Sequence, residues 1–464
     1  MSAATYEEFL AQKQRVVERV GFDIESDDLH PSLFPFQRDI VRWSLKLGRA
    51  AIFAGTGLGK TRMQVSFGDQ VEKHTQRPVL ILAPLAVAQQ TVREAKTIGV
   101  EVKHVREANE VGSRGIYITN YDRADRFDPA LFGGIVLDES SILKSYTGAT
   151  CTALIEAWST TRFRLACTAT PAPNDFLELG THAEFLGVMT RVEMLATFFV
   201  HDGGETQKWR VKGHAQNDFY KWMAGWCVMF TSPDDLGYDG SRYVLPPMTI
   251  KETIVESAPT DAGMMFAVEA QTLQERRLAR RSSIDARVKI VADLVRAEPN
   301  EPWLIWVDLN DEADAIAEAI PGAVEVRGTD DSDLKESRLL GFATGDFQIL
   351  LTKGKIAAFG LNYQHCARQA FCGLSDSFER FYQCIRRSYR FGQDREVVVH
   401  VVVSSAENAV LQNVKRKERD SQKMVSGIVA QIQLHSEIGA KKRAKGKSHA
   451  KKFTIPPWLV SGVY

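Results

Sequence analysis

From about residue 50 the chain repeats one pattern: a short β-rich apolar run, a turn closed by Gly, Pro or Asp, then a helical stretch. The runs are "RAAIFA" (49–54), "PVLILA" (78–83), "GIYITN" (115–120), "GGIVLD" (133–138) and "RFRLACT" (162–168). Strands separated by helices must be joined by crossovers, so the pattern predicts a parallel sheet flanked by helices. It returns with "PWLIWVD" (302–308), "AVEVRG" (323–328), "FQILLT" (347–352), "RQAFCG" (368–373) and "EVVVHVVVS" (396–404). Two α/β domains are therefore expected, and 464 residues give each a sizeable core. The first is placed at 31–186, after an amino-terminal helical segment (1–30), and the second at 245–410. Residues 187–244, rich in Gly, Asp, Pro and aromatics, are read as an insertion and linker, and 411–464 as a charged helix with a basic tail.

The formal net charge is zero, so no global field draws the chain to a polyanion or an anionic bilayer. The balance is uneven: "KKRAKGKSHAKK" (441–452) carries seven Lys or Arg and no acid, which leaves a net −7 elsewhere. Any polyanion contact outside that stretch must be local, while the stretch itself suits salt-sensitive, unspecific binding or a solvated tail. The six cysteines are scattered without a Cys-x-x-Cys pair, which argues against a disulfide framework or a zinc site. No signal-peptide core or membrane-length apolar run is present, and a cytoplasmic protein without membrane attachment is expected.

"AGTGLGKT" (54–61) follows the first strand and precedes a helical stretch. A loop that cradles phosphate needs converging backbone N–H groups, hence small residues, and a helix amino terminus to add partial positive charge. Gly55, Gly57 and Gly59 supply the first, with Thr56 between them. Lys60 is placed to reach the β- and γ-phosphates and Thr61 to hold Mg²⁺. "IVLDESS" (135–141) ends another strand in Asp138 and Glu139. At that edge of an open α/β sheet Asp138 suits the Mg²⁺ shell, and Glu139 suits orienting or deprotonating an attacking water. Together the two motifs point to hydrolysis of a nucleoside triphosphate, with ATP and Mg²⁺ as the expected ligands.

A third segment, "QCIRRSYRFGQ" (383–393), crowds Arg386, Arg387 and Arg390 between two apolar runs. On a helix Arg387 and Arg390 are i and i+3 and share a face, with Gln383 one turn behind. The residues alone leave the facing anion open: a surface carboxylate, a nucleic-acid backbone, or the phosphates of a nucleotide.

These motifs, with others in the same order over residues 33–404, resemble superfamily 2 helicases, and more narrowly their Swi/Snf-like branch of double-stranded DNA translocases. "LFPFQRDIVRW" (33–43), "APLAVAQQTVRE" (83–94), "ITNYDRA" (118–124), "DESSILKS" (138–145), "TATPAPNDFLEL" (168–179), "KIAAFGLN" (355–362) and "QCIRRSYRFGQ" carry the likeness. The branch usually has Trp where Thr91 stands, and Ala and His where Ser140 and Ser141 stand. The resemblance implies two tandem RecA-like domains with ATP in the cleft between them. It gives Gln37 the adenine edge, adds Gly360 to the nucleotide contacts, and assigns Thr168 and Thr170 to coupling. It assigns Arg387 and Arg390, with Gln383, to the γ-phosphate, and gives Arg386 no such role. Loops starting at Pro84, Thr119 and Lys355 become candidate contacts to a phosphate backbone, without base readout. About 130 residues separate the "TATP" motif from the first strand of the second domain, a size that favours a minimal bacterial or phage-type motor over a large remodelling enzyme.

The expected activity is ATP-dependent translocation on double-stranded DNA without sequence specificity. Strand separation on DNA or RNA is the alternative within the superfamily, and a silent ATP-binding scaffold the alternative outside it. The joint presence of Lys60, Asp138, Glu139, Arg387 and Arg390 argues against the scaffold. In "QKWRVKGHAQNDFYKWMAGW" (207–226) the spacing of Phe219, Trp222, Met223 and Trp226 fits a buried helix face better than a stacking surface for bases.

Overall fold

The computed structural model describes residues 19–84, 87–146, 148–172, 175–201, 209–256, 280–357, 362–375 and 377–435. The first 18 residues, Leu85, Asn174, Gly360 and the basic stretch 441–452 lie outside them. The chain forms two compact units: among the described residues, one takes those up to Tyr243 and from Asp420 onward, the other Val244–Arg419.

In the first unit the strands are β1 (Arg49–Ala54), β2 (Val79–Ala83), β3 (Val102–His104), β4 (Ile116–Asn120), β5 (Gly134–Asp138), β6 (Phe163–Thr168), β7 (Phe199–His201), β8 (Trp209–Val211) and β9 (Cys227–Phe230). Seven of them make one parallel sheet in the order β3-β4-β2-β5-β6-β1-β9, and β7 and β8 form a separate antiparallel hairpin. Helices α1 (Pro35–Leu47), α2 (Lys60–Thr75), α3 (Ala88–Thr97), α4 (Ala149–Ala157), α5 (Leu179–Phe185), α6 (Arg191–Phe198) and α7 (Gln216–Ala224) complete the unit. Strands β2, β4, β5 and β6 are buried at every residue, as sheets covered on both faces require. Their runs of Val, Ile and Leu therefore lack the polar alternation of a half-exposed strand.

The span 187–244, read as an insertion and linker, does more than connect. Its β9 extends the main sheet beside β1, and its α7 buries Phe219, Met223 and, just beyond it, Trp226. Phe219 packs edge-on against Phe176 and Phe199, so this helix face is core and not a base-stacking surface.

The second unit has strands β10 (Met248–Val255), β11 (Trp303–Val307), β12 (Ala323–Val326), β13 (Ile349–Lys353), β14 (Arg368–Cys372) and β15 (Val397–Ser404). They pair in parallel in the order β10-β15-β14-β11-β13-β12. Its helices are α8 (Ile284–Ala297), α9 (Asn310–Ala319), α10 (Ser332–Thr344), α11 (Gly354–Ala357), α12 (Phe378–Ile385) and α13 (Asn408–His435). From Asp420 onward α13 belongs to the first unit, where Met424 and Ile428 join the core. Both units are thus RecA-like α/β layers, a parallel sheet with helices on its faces.

A buried charge network ties the second sheet together at the carboxyl ends of its strands. Arg280 donates to both oxygens of Glu312, at 2.7 and 3.2 Å, and Arg287 donates to the same carboxylate at 2.8 Å. Glu407 lies 3.5 Å from Arg280, and the backbone N–H groups of Asp308 and Leu309 also donate to Glu312. Burial alone pushes the Glu312 carboxyl up, but the two guanidiniums outweigh it and hold the group below its ordinary range. Gly373 lies against them at φ +93°, where a Cβ would sit 2.6 Å from an Arg280 nitrogen. Removing one member of such a network strands the rest, which typically costs about 3–5 kcal/mol. We therefore expect Glu312→Leu to lower the unfolding free energy of this unit by about that amount. Urea titration followed by the fluorescence of the buried Trp303 and Trp306 measures it; a loss below about 1 kcal/mol would mean the network is dispensable.

Candidate active site

The strand order β5-β6-β1 brings three carboxyl-terminal strand ends side by side. Register aligns Phe53 with Thr168 and Asp138 with Cys167, so Thr168 lies between the loop after β1 and the acidic pair after β5. At roughly 4.8 Å per strand, the two motifs are about 10 Å apart.

The loop 55–59 leads directly into the 16-residue helix α2, whose amino terminus therefore closes it. Gly57 and Gly59 take positive φ, 84° and 81°, which side chains resist. At Gly59 a Cβ would also meet Gln37 Nε2 at 2.3 Å. Gln37 is buried, donates from Nε2 to the Leu58 carbonyl at 3.0 Å, and accepts from Phe34 N–H at 3.0 Å. Expected at an adenine edge, Gln37 has both ends of its amide engaged within the fold and braces the loop. Lys60 Nζ donates to the carbonyls of Ala54 at 2.9 Å and Gly55 at 3.3 Å, which holds the ammonium over the loop. The Thr56 hydroxyl is buried without a partner among the described residues. A loop with two left-handed glycines, a helix amino terminus, a lysine and an unmatched hydroxyl fits a polyphosphate.

Asp138 is 5% exposed, and its Oδ1 accepts from Gln64 Nε2 at 2.7 Å and from Glu139 N–H at 3.0 Å. Burial, together with the neighbouring Glu139 charge, pushes the Asp138 carboxyl up to about 6 despite the Gln64 hydrogen bond and Lys60. A divalent cation here would supply the counter-charge that burial withholds, and the hard oxygens of Asp138 and Thr61 suit Mg²⁺. Among the described residues no cluster of three or more acidic, His or Cys side chains forms a metal site, so protein ligands to such an ion would be few. Gln64 stands four residues after Lys60 and so shares its face of α2. That spacing was legible, although a lone Gln carried no chemical flag.

Glu139 adopts φ 51° and ψ 52°, a left-handed conformation that costs a non-glycine residue on the order of 1 kcal/mol. Its Oε2 accepts from the buried Thr168 hydroxyl at 3.2 Å, and the same hydroxyl accepts from Thr170 N–H at 3.1 Å. Of the two threonines of "TATP", Thr168 thus contacts the glutamate directly and Thr170 reaches it only through Thr168; the Thr170 hydroxyl is buried without a partner among the described residues. Tyr121 donates to the Asp138 carbonyl at 2.6 Å; burial, with Asp138 and Glu139 nearby, keeps its phenol protonated.

Behind the pair, Ser140 Oγ is 3.1 Å from Nε2 of His182, whose Nδ1 is 3.2 Å from the Glu178 carbonyl. A carbonyl only accepts, so Nδ1 carries the proton and Nε2 accepts from Ser140. His182 is fully buried, and burial pulls it down to about 4, so it stays neutral. Nothing in the sequence marked His182, because its partner lies 42 residues away.

Of the residues expected at a nucleic-acid backbone, Lys355 is exposed in α11 and Pro84 is half-buried after β2. Thr119 requires correction: it is the fourth residue of β4 and fully buried, so its side chain cannot reach a ligand, and the loop begins at Tyr121.

The arginine segment of the second unit also departs from expectation. Helix α12 ends at Ile385, so Arg387 and Arg390 follow it in tight turns and are not i and i+3 on a helix. The Ile385 carbonyl accepts from Gln369 Nε2 and Tyr389 N–H, both at 3.0 Å, while Arg387 N–H turns back to Cys384 at 3.1 Å. Beyond them Gln393 fastens the chain through Gln364 and Ser388 carbonyls. Arg387 is 5% exposed, with Nε on the Gln383 carbonyl at 3.2 Å, and Arg390 donates to Asn362. Gln383 is 2% exposed, and neither end of its amide has a partner among the described residues. Arg386 is different: it lies 5.1 and 5.2 Å from the Tyr382 and Tyr389 rings. It also faces Glu418, which burial pushes up to about 7 against the pull of Arg386 and Lys415.

No protein-family model matches the sequence. Over 176 residues the chain is 27% identical to "Putative protein p41" of Acyrthosiphon pisum secondary endosymbiont phage 1, an alignment covering 33% of this chain. The chain spans only 38% of the length of that curated relative. Among solved structures, the Sulfolobus solfataricus SWI2/SNF2 ATPase core in complex with double-stranded DNA aligns over 90% of this chain and 98% of its own. That alignment has 17% identity and a TM-score of 0.42. No helix among the described residues is long and apolar enough to cross a membrane.

The buried, neutral His182 gives a pH test of this site. The unfolded state takes up a proton below the ordinary imidazole value of 6.5, whereas the folded state resists until about 4. Stability contributed by this residue is therefore present above pH 6.5 and lost progressively toward pH 4, by about 3 kcal/mol. In His182→Gln that loss is absent, so the stability gap between wild type and variant should narrow from pH 7 to pH 4.5 in denaturant titrations. A gap that stays constant or widens would place a charged imidazole in the folded state.

Proposed function

We propose that this chain is a nucleic-acid-stimulated ATPase of the Swi/Snf-like branch of superfamily 2, a minimal motor that moves along double-stranded DNA without sequence specificity. The observation that carries the reading is the convergence of the glycine loop, the Asp138–Glu139 pair and Thr168 on adjacent strand ends. The ordered motifs from Gln37 to Gln393 support the narrower assignment to that branch.

On this reading Gly55, Thr56, Gly57, Gly59 and Lys60 bind the triphosphate, with Thr61 and Asp138 as the protein ligands of Mg²⁺. The ion, when bound, neutralises charge on the β- and γ-phosphate oxygens. Glu139, held by the Thr168 hydroxyl, accepts the proton of the attacking water. The water oxygen bonds to the γ-phosphorus, the bond to the bridging oxygen breaks, and ADP leaves with that electron pair. Arg387 and Arg390, from the second unit, stabilise the charge that develops on the transferred group, and Gln383 uses its unmatched amide on the water or a phosphate oxygen. A guanidinium supplied this way is worth ~10³–10⁵ in rate, so turnover depends on domain closure, which duplex DNA promotes. Gly360 joins the nucleotide contacts, and loops at Pro84 and Lys355 touch phosphates.

The test is an ATPase titration comparing duplex DNA, single-stranded DNA and RNA. Duplex DNA should give the largest stimulation; Lys60→Ala and Arg387→Ala should abolish it, and Glu139→Gln should lower turnover by roughly 10²–10⁴ while ATP still binds. Stimulation by RNA alone, or full activity of Glu139→Gln, would overturn the reading. A separate expectation concerns Arg386, which the ring contacts and Glu418 already occupy. Arg386→Ala should retain most of the stimulated rate, and a loss equal to that of Arg387→Ala would put Arg386 in the site.

A further inference from the structure

A cavity lies at the opposite end of the first sheet's strands from the glycine loop. It opens where α2 ends and β5 and β6 begin, about 440 Å³ in volume. The glycine loop lies at the other end of the strands; β6 alone is six residues, ~20 Å at roughly 3.3 Å per residue. This cavity is therefore separate from the triphosphate site.

Its rim holds the exposed Arg77 and Arg162, and no Asp or Glu lines it among the described residues. Each guanidinium is positioned by one backbone carbonyl: Arg77 donates to Ala130, and Arg162 Nε donates to Val20 at 2.9 Å. Arg162 also lies 5.2 Å from the Phe163 ring centroid, which further restricts it. Neither arginine is paired with a carboxylate among the described residues. In the lining, Thr161 is 5% exposed and its hydroxyl has no partner among the described residues. An unmatched buried hydroxyl loses its hydration, a cost that a ligand accepting from it would offset. The buried rings of Phe132 and Phe163 complete the lining, with the exposed His74 beside them.

We propose that this cavity binds a small phosphate monoester that carries a ring. Two forked guanidiniums and a hydroxyl match a phosphate with several acceptor oxygens better than a carboxylate with two. The volume exceeds what inorganic phosphate fills, and the aromatic lining suits a flat or sugar ring.

Calorimetric titration of the full chain bearing Lys60→Ala, which disables the other phosphate site, tests this with AMP, adenosine and inorganic phosphate as probes. AMP should bind at one site, inorganic phosphate should compete for it, and adenosine should bind at least tenfold more weakly. Arg77→Gln and Arg162→Gln, each added to that background, should weaken AMP at least tenfold. Thr161→Val, which keeps the side-chain shape, should also weaken it and guards against loss of fold in the arginine variants. No AMP binding in the Lys60→Ala protein would overturn the proposal, as would affinity unchanged by all three added substitutions. Because ATP turnover is not read, failure here leaves the ATPase reading standing, and failure of the ATPase assay leaves this one standing.

Discussion

The first unit is organised around a carboxylate that its surroundings only partly accommodate. Asp138 is carried into the interior by β5, whose every residue is buried, and there its Oδ1 meets an amide and a backbone N–H, with the Lys60 charge acting on it from nearby. A carboxylate in that position retains its charge only at a cost, which is why its proton affinity rises. The neighbours then acquire defined roles. Gln64 fixes one oxygen, Tyr121 fixes the strand's last carbonyl, and the left-handed turn at Glu139 carries the second carboxylate toward Thr168. The residual demand for positive charge at this place is what the proposed nucleotide chemistry would meet.

The second unit handles buried charge differently. Glu312 is fully buried, yet two guanidiniums and two backbone N–H groups meet it, and Glu407 balances Arg280. Such a closed set asks for nothing from outside and acts as a fastening between helices and strand ends. Set beside it are groups unmatched among the described residues, which include the Thr56 and Thr170 hydroxyls and both ends of the Gln383 amide. Others lie elsewhere, on Thr91 and Trp303 among them, so an unmatched atom does not by itself mark a site. Buried polar atoms left unmatched lower stability unless a ligand satisfies them, and a ligand reaching these three would offset that cost.

Much of the fold was legible because fully buried parallel strands have a strong compositional signature. All ten β-rich runs became strands, with ends shifted by no more than two residues. The strands that escaped notice lack that signature. β3 has three residues, β9 follows directly on an aromatic helix, and β10 carries a polar run, Lys251–Thr253, at a sheet edge. In the candidate site, charge and glycine spacing are legible in a linear sequence, while neutral side chains that act through hydrogen bonds to distant residues, such as Gln64, Tyr121 and His182, carry no such flag. Their partners lie 74, 17 and 42 residues away, and a linear pattern does not encode such pairings. Thr119 went astray for the converse reason: a motif names a loop, but the strand before it decides which side chains emerge.

The arginine segment shows what local geometry adds to a motif. On a continuous helix, Arg386, Arg387 and Arg390 would be hard to tell apart, since i, i+3 and i+4 share one side. Ending α12 at Ile385 separates them. Arg386 falls between two tyrosine rings beside Glu418, Arg387 turns inward above the Gln383 carbonyl, and Arg390 meets Asn362. The helix end is tied to the sheet, because Gln369 on β14 donates to the Ile385 carbonyl, which also accepts from Tyr389 N–H, while the Gln369 oxygen accepts from Trp306 Nε1 on β11 at 2.8 Å. A strand-borne amide thus anchors the point from which the chain presents a buried arginine beside an unmatched glutamine. The turn, more than the number of arginines, distinguishes this segment from a charged surface patch.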